Sequence, residues 1–261
     1  MNNVLERMIV GESRHFIIYG QNGEERKQLL QTIADNHPIV LDTSVPACIY
    51  MEDFGLPEVA NPVAYFDKIQ RSTCAREFLS FSIAHQLVSQ FASQNNVWDV
   101  KERVDKFLKR IDRTLKDPKW GNIQDIDDLI GVLKISKDFY RGEYKNLLQL
   151  GRIVEDINDL PIPFITLNTF MSMFKKMINT NSHFSLIFDQ QTPVPLVSQQ
   201  AINGLVTRRI NSDISVNVVC ARNEWKTYYD LTGMLAEPIH DYGDRNLEDL
   251  VPGFQKIKTM K

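Results

Sequence analysis

The chain of 261 residues holds only three cysteines, Cys48, Cys74 and Cys220, all far apart. An odd, scattered set builds neither a disulfide framework nor a zinc pattern; it reads as small apolar fillers in a reduced compartment. The five histidines, His15, His37, His85, His183 and His240, fall at no metal-ligand spacing either, so no metal site is expected. No apolar run approaches the roughly 18–20 residues that a membrane span needs. Residues 1–7 lack the basic start and apolar core of a secretory signal. The expectation is a cytoplasmic protein without membrane contact. Neither sign of charge dominates: 30 Lys and Arg stand against 33 Asp and Glu, a net charge of −3. A field that small does not draw the whole chain to nucleic acid, though it leaves room for a local basic patch. There is no internal repeat, no low-complexity tract and no Gly-x-Ser-x-Gly nucleophile elbow.

What is present is the composition of a folded globular protein, 43% hydrophobic and 24% charged, long enough for one large domain or two small ones. Residues 15–20 read as a short buried strand ended by a glycine, and residues 24–34 as a helix with Leu29, Leu30 and Ile33 on one side. Pro38–Asp42 and Ala47–Met51 read as two further strands. Strand, helix, strand in this order predicts a right-handed crossover and a parallel sheet. The pattern then turns helical. Residues 63–94, 97–116 and 123–158 carry apolar residues at helical spacing, the last with a break near Arg141-Gly142. Residues 166–179 suit another helix. Phe184–Asp189 is the best central strand, residues 196–210 resume a helix, and Ile214–Cys220 is a last strand rich in β-branched residues. The fold class expected is α/β, with a P-loop-like parallel sheet flanked by helices. Its core is discontinuous, residues 1–62 and 159–250. Residues 63–158 form a helical insertion or lid, and 251–261 a loose basic tail.

The chemistry-bearing motif lies at the end of the first strand. Gly20-Gln21-Asn22-Gly23 leads from strand to helix as a phosphate-binding loop does. A working loop continues with a close-approach Gly, then a Lys that reaches the phosphates, then a Ser or Thr that binds magnesium. Those positions hold Glu25, Arg26 and Lys27. A carboxylate at 25 repels phosphate, Arg26 keeps charge without the compact ammonium, and Lys27 cannot ligate a metal. The plain alternative is an ordinary strand-to-helix turn of an α/β protein. Phe184–Asp189 resembles a Walker B strand, but the acidic pair expected at its end is Asp189-Gln190. Gln190 is isosteric with the catalytic Glu and accepts no proton at neutral pH. Glu25, Arg26 and Lys27 would then satisfy one another where phosphates once sat.

Downstream come Gln199-Gln200 in a helix, then the strand to Cys220, then Arg222-Asn223-Glu224-Trp225. Pro238-Ile239-His240-Asp241-Tyr242 follows. In this order the chain resembles the bacterial initiator-type, origin-recognition-complex-like AAA+ ATPases, over roughly residues 10–55 and 180–248. The resemblance implies Gly20 and Gly23 as loop glycines, with Arg26 and Lys27 at the Lys and hydroxyl positions. Asp189 stands at the magnesium carboxylate, Gln190 at the catalytic Glu, and Arg222 or Asn223 as a γ-phosphate sensor, with a strand-end salt bridge as the plain alternative for Arg222. With both halves of the site altered, it implies a pseudo-ATPase with no catalytic residue and no bound cofactor, ATP with magnesium being disfavoured. Such a subunit acts through a protein partner or oligomer. The group's settings add DNA-associated, mobile-element and antiviral-defence complexes. An active or nucleotide-binding NTPase with an atypical loop stays open as an alternative, as does a scaffold whose helical middle binds a partner. Arg103, Lys106, Arg110 and Arg113 align as a basic stripe able to meet nucleic-acid phosphates, or as a solvated face with pairs such as Glu102–Lys106.

Overall fold

The computed structural model describes residues 14–21, 23–42, 45–52, 54–56, 68–97, 101–114, 123–150, 167–190, 195–207, 214–237 and 240–250. Five strands, β1 (His15–Tyr19), β2 (Ala47–Glu52), β3 (Phe184–Asp189), β4 (Ile214–Cys220) and β5 (Tyr242–Asn246), form one sheet in the order β2-β3-β4-β1-β5. Every pairing is parallel. The described helices are α1 (Glu24–Asn36), α2 (Lys68–Gln94), α3 (Lys101–Thr114), α4 (Ile126–Leu150), α5 (Leu167–Ile178), α6 (Leu196–Thr207) and the single turn α7 (Leu247–Leu250). The protein is therefore α/β, a parallel sheet flanked by helices. No described helix is long and apolar enough to cross a membrane.

The chain divides into two compact units. One holds residues 1–38, 45–55 and 182–261, the other 39–44 and 56–181. In the first, β3 and β4 are buried along their whole length, as strands covered on both faces must be. Phe16 and Ile18 of β1 join Cys48, Tyr50, Ile187 and Val219 in a cluster closed by Leu30, Ile33 and Ala34 of α1. That is one face of the sheet. His15, in register with Tyr242, points to the other, where the Tyr242 hydroxyl donates to Asn203 Oδ1 of α6 at 3.2 Å. So α1 and α6 cover opposite faces, as right-handed crossovers running in opposite directions require.

The second unit is helical, with α2 and α4 packed along their lengths and an aromatic nucleus formed by α2, α3 and α5. Phe174 meets Phe91 at 5.7 Å and Phe107 at 6.0 Å, edge to face, and stacks on Phe170 at 6.2 Å. Helix α5, counted with the sheet in the sequence reading, falls in this unit.

Three expectations need correction. Pro38–Asp42 is no strand. Ile39 N–H donates to Gln94 Oε1 (2.7 Å) and Leu41 N–H to Asn95 Oδ1 (3.2 Å), so side chains take the bonds a ladder would use. Asp42 then turns into the left-handed region at φ 55°. Helix α4 runs unbroken through Arg141-Gly142. Buried Tyr140, Tyr144 and Leu147 anchor it across the glycine, outweighing a propensity cost of about 1 kcal/mol. Strand β5 was not expected, because its sequence YGDRN is polar. It is an edge strand, paired with β1 alone, so charged Asp244 and Arg245 remain exposed there.

Candidate functional site

The connection from β1 runs to β2 on one side of the sheet and that from β4 runs to β5 on the other, so the strand order reverses between β4 and β1. In open α/β sheets that reversal opens a crevice beyond the strand C-termini. Gly20, the β4 end at Cys220 and the β3 end at Asp189-Gln190 meet there. Gly20 N–H donates to the Cys220 carbonyl at 2.9 Å, and Gln190 N–H to the Val219 carbonyl at 2.8 Å.

The crevice is occupied by the chain's own arginine. Helix α1 turns Arg26, Leu30, Ile33 and Ala34 inward, the i, i+4, i+7, i+8 stripe of a half-buried helix. Arg26, only 2% exposed, puts Nη2 2.8 Å from Asp189 Oδ1, itself equally buried. Nη1 donates to the Gly20 carbonyl (3.1 Å) and Nη2 to the Gln190 carbonyl (3.2 Å). The Arg26–Asp189 contact is ionic and off the line a hydrogen bond needs, since Asp189 Oδ1 and Arg26 Nε have no hydrogen-bond partner among the described residues. The other carboxylate oxygen, Oδ2, accepts from the Tyr50 hydroxyl at 3.0 Å. Burial, and then the negative charge of Asp189, push that hydroxyl well above its ordinary pKa, so it stays a donor.

Lys27, the next residue on α1, pairs with Glu52 at 2.5 Å, and that bond raises the Lys27 pKa. Glu52 and Asp189 are register partners at the ends of β2 and β3. Two consecutive cations of α1 thus neutralise two adjacent carboxylates of the sheet. The Lys27–Glu52 pair is partly exposed and worth little to stability. Glu25 is exposed. The mutual pairing of Glu25, Arg26 and Lys27 expected from sequence is therefore replaced by two pairs that reach across to the sheet.

The remaining residues of the motif are used structurally. Gln190 is 1% exposed, and its amide binds the main chain of Phe54. In the orientation that satisfies both groups it donates to the carbonyl (3.3 Å) and accepts from the N–H (3.2 Å). Arg222 is exposed and donates to Asn246 Oδ1 at 3.1 Å, a strand-end hydrogen bond rather than a salt bridge. Tyr50 was not singled out by sequence; its signal is its place two residues before the end of β2, on the face α1 covers. No three His, Cys, Asp or Glu side chains among the described residues are grouped to hold a metal. Cys74 and Cys220 are buried, and burial pushes each thiol up to about 12.

The two loop glycines differ. A Cβ on Gly20 would lie 2.8 Å from Leu247 Cδ2 and 3.0 Å from its Cβ, whereas one on Gly23 meets nothing within 4 Å. Gly23 also has φ 166°, extended backbone open to any residue. Gly20→Ala is expected to cost about 1–3 kcal/mol through overpacking against α7. Gly23→Ala should stay within about 0.5 kcal/mol. Urea denaturation of the two variants checks the difference. The close packing at Gly20 is thus with a side chain.

On α3, the four residues of the basic stripe are divided. Arg103 grips Asp42 with two bonds, 2.7 and 3.1 Å, and Asn179 Nδ2 adds a third to the same carboxylate. Arg103, first, and Asn179 hold that carboxyl below its ordinary pKa. Lys106 pairs with Glu102 at 2.6 Å. Arg110 and Arg113 are exposed. Arg103 and Lys106 are therefore engaged by carboxylates.

No family model, curated protein or solved structure matches the chain.

Proposed function

We propose that the chain is a non-hydrolysing, AAA+-like subunit that works by assembling with other proteins. The observation that carries the reading is the Arg26 guanidinium inside the loop, tied to Asp189 and to the carbonyls of Gly20 and Gln190. A working P-loop core needs its loop and its acidic strand end to converge on one phosphate group. Here the corresponding pieces converge on a side chain instead. The cation that would neutralise a phosphate neutralises the carboxylate that would hold magnesium. Gln190, in place of a catalytic Glu, has its amide bound to the main chain of Phe54. What the arrangement performs is structural: it pins α1 to the ends of β1 and β3. The resemblance to initiator-type members extends the proposal to a complex associated with DNA, of the mobile-element or defence kind.

A turnover assay on the purified full chain tests the absence of hydrolysis. With millimolar ATP and magnesium, phosphate release should equal the protein-free blank. Magnesium-dependent release that disappears in Asp189→Asn would overturn the proposal, because that substitution keeps the carboxylate's shape and removes its charge.

A further inference from the structure

Residues 228–236 form a short hairpin with an unusual distribution of polarity. Tyr228 and Ala236 are joined by a main-chain bond of 2.8 Å, as are Asp230 and Met234, and Tyr229 and Leu235 bridge antiparallel between them. The tip turns at Gly233, whose φ of +93° suits glycine. One side of the hairpin is anchored. Asp230, 2% exposed, accepts from the N–H groups of Thr232 and Met234 (both 2.8 Å) and from the Thr207 hydroxyl of α6 (3.1 Å). Asn203 of α6 donates to the carbonyls of Thr227 and Tyr229, both at 3.0 Å. Gln199, one turn earlier, accepts from Lys226 N–H at 2.6 Å and donates to the Glu224 carbonyl at 2.9 Å. Gln199 and Asn203, both fully buried, hold the hairpin against α6.

The outward side is apolar. Tyr229 and Leu235, cross-strand neighbours on one face, are 53% and 46% exposed. A half-buried hairpin ordinarily turns polar residues to water. Residues 231–235 carry no charge. The bridge is of the non-hydrogen-bonded kind, flanked by the two main-chain bonds, so the N–H and C=O of Leu235 point away from the hairpin. Among the described residues neither has a partner. Tyr229, on the opposite edge, is closed off: its N–H donates to Thr227 Oγ1 and its carbonyl accepts from Asn203. Among the described residues one edge is therefore open and the other shut.

We propose that this edge docks an extended, apolar segment of a partner protein, which pairs its main chain with Leu235 and lays alternate side chains over Tyr229 and Leu235. Strand addition supplies main-chain bonds for affinity and side-chain contacts every second residue for specificity. The size of the patch selects a segment over a second copy of the chain. Two half-exposed side chains offer on the order of 200 Å², against about 800 Å² per partner in a standard stable interface. The absence of charge selects an apolar segment over a basic or acidic one. The site is built by the hairpin and α6 alone, and stands whether or not the β1 loop binds nucleotide.

The test is selection of random seven-residue peptides on the full-length chain, followed by amide hydrogen exchange with the strongest binder. The expected binders carry β-branched or aromatic residues at alternate positions. The Leu235 amide, fast-exchanging in the free chain, should become protected in the complex. Tyr229→Ser with Leu235→Asp should weaken binding at least about tenfold, with protection of the Asp230 and Ala236 amides unchanged, which certifies an intact hairpin. If the paired variant does not fold, the Leu235 amide of the unmodified chain decides alone. Selection of no alternating apolar sequence, binding without Leu235 protection, equal binding by an intact paired variant, or a dimer that protects Leu235 without peptide would each overturn the proposal.

Discussion

Arg26→Ala is expected to destabilise the sheet unit by about 3–5 kcal/mol, the usual cost of stranding one half of a buried ion pair. The loss follows from the geometry. Without the guanidinium, Asp189 keeps the Tyr50 hydroxyl but loses its counter-charge, while the carbonyls of Gly20 and Gln190 lose a donor. Urea denaturation reads the effect. The paired variant Arg26→Met with Asp189→Leu removes both charges together and fills similar volume, so it should recover most of the loss. It should fall short of the parent because the two carbonyls still lose donors, each worth about 1 kcal/mol. The contrast between the single and paired variants separates a structural arginine from one kept for a ligand. A ligand-binding arginine would be replaced at little cost to the unliganded protein.

Phe174→Ala should cost the helical unit a similar amount, about 3–5 kcal/mol. Phe174 is fully buried and touches rings from α2, α3 and its own helix α5. Truncation empties the centre of the nucleus, and three long helices have little freedom to close the gap. A chain with two units need not unfold in one step, so amide protection along α3 and α5 is the measurement to make. Ile135→Ala, on an exposed side chain of α4, is the control and should stay within about 0.5 kcal/mol.

The central strands were legible because they are continuous apolar runs of strand length; Phe184–Asp189 and Ile214–Cys220 stand where the sequence puts them. The helices were legible by their periodic apolar faces, with Val104, Phe107, Leu108 and Ile111 of α3 all buried. Pro38–Asp42 misled because its composition suits a strand, while the side chains that take its hydrogen bonds lie 54 to 56 residues away. Strand β5 was hidden by its polarity, since an edge strand is held by its neighbour's backbone more than by its own side chains.

At the candidate site, the sequence grouped Gly20, Gly23, Arg26, Lys27, Asp189, Gln190 and Arg222; Arg26 meets Gly20, Asp189 and Gln190, whereas Lys27 turns to Glu52 and Arg222 to Asn246. The sequence could not show that Arg26 faces inward. A charged residue on the apolar stripe of a helix looks like an interruption of the stripe until its partner is placed beside it. The spacing from Arg26 to Leu30, Ile33 and Ala34 carried that information, and the choice of Leu29 as the facing residue obscured it. Leu29 is only partly buried.

We propose that Arg26 closes the loop to phosphate from within. The decisive experiment is calorimetric titration of the full chain with ATP, with and without magnesium. No magnesium-dependent heat of binding is expected up to millimolar ATP. Micromolar, magnesium-dependent binding that is lost in Asp189→Asn would contradict the proposal, since that would require the Arg26–Asp189 pair to open for phosphate and metal.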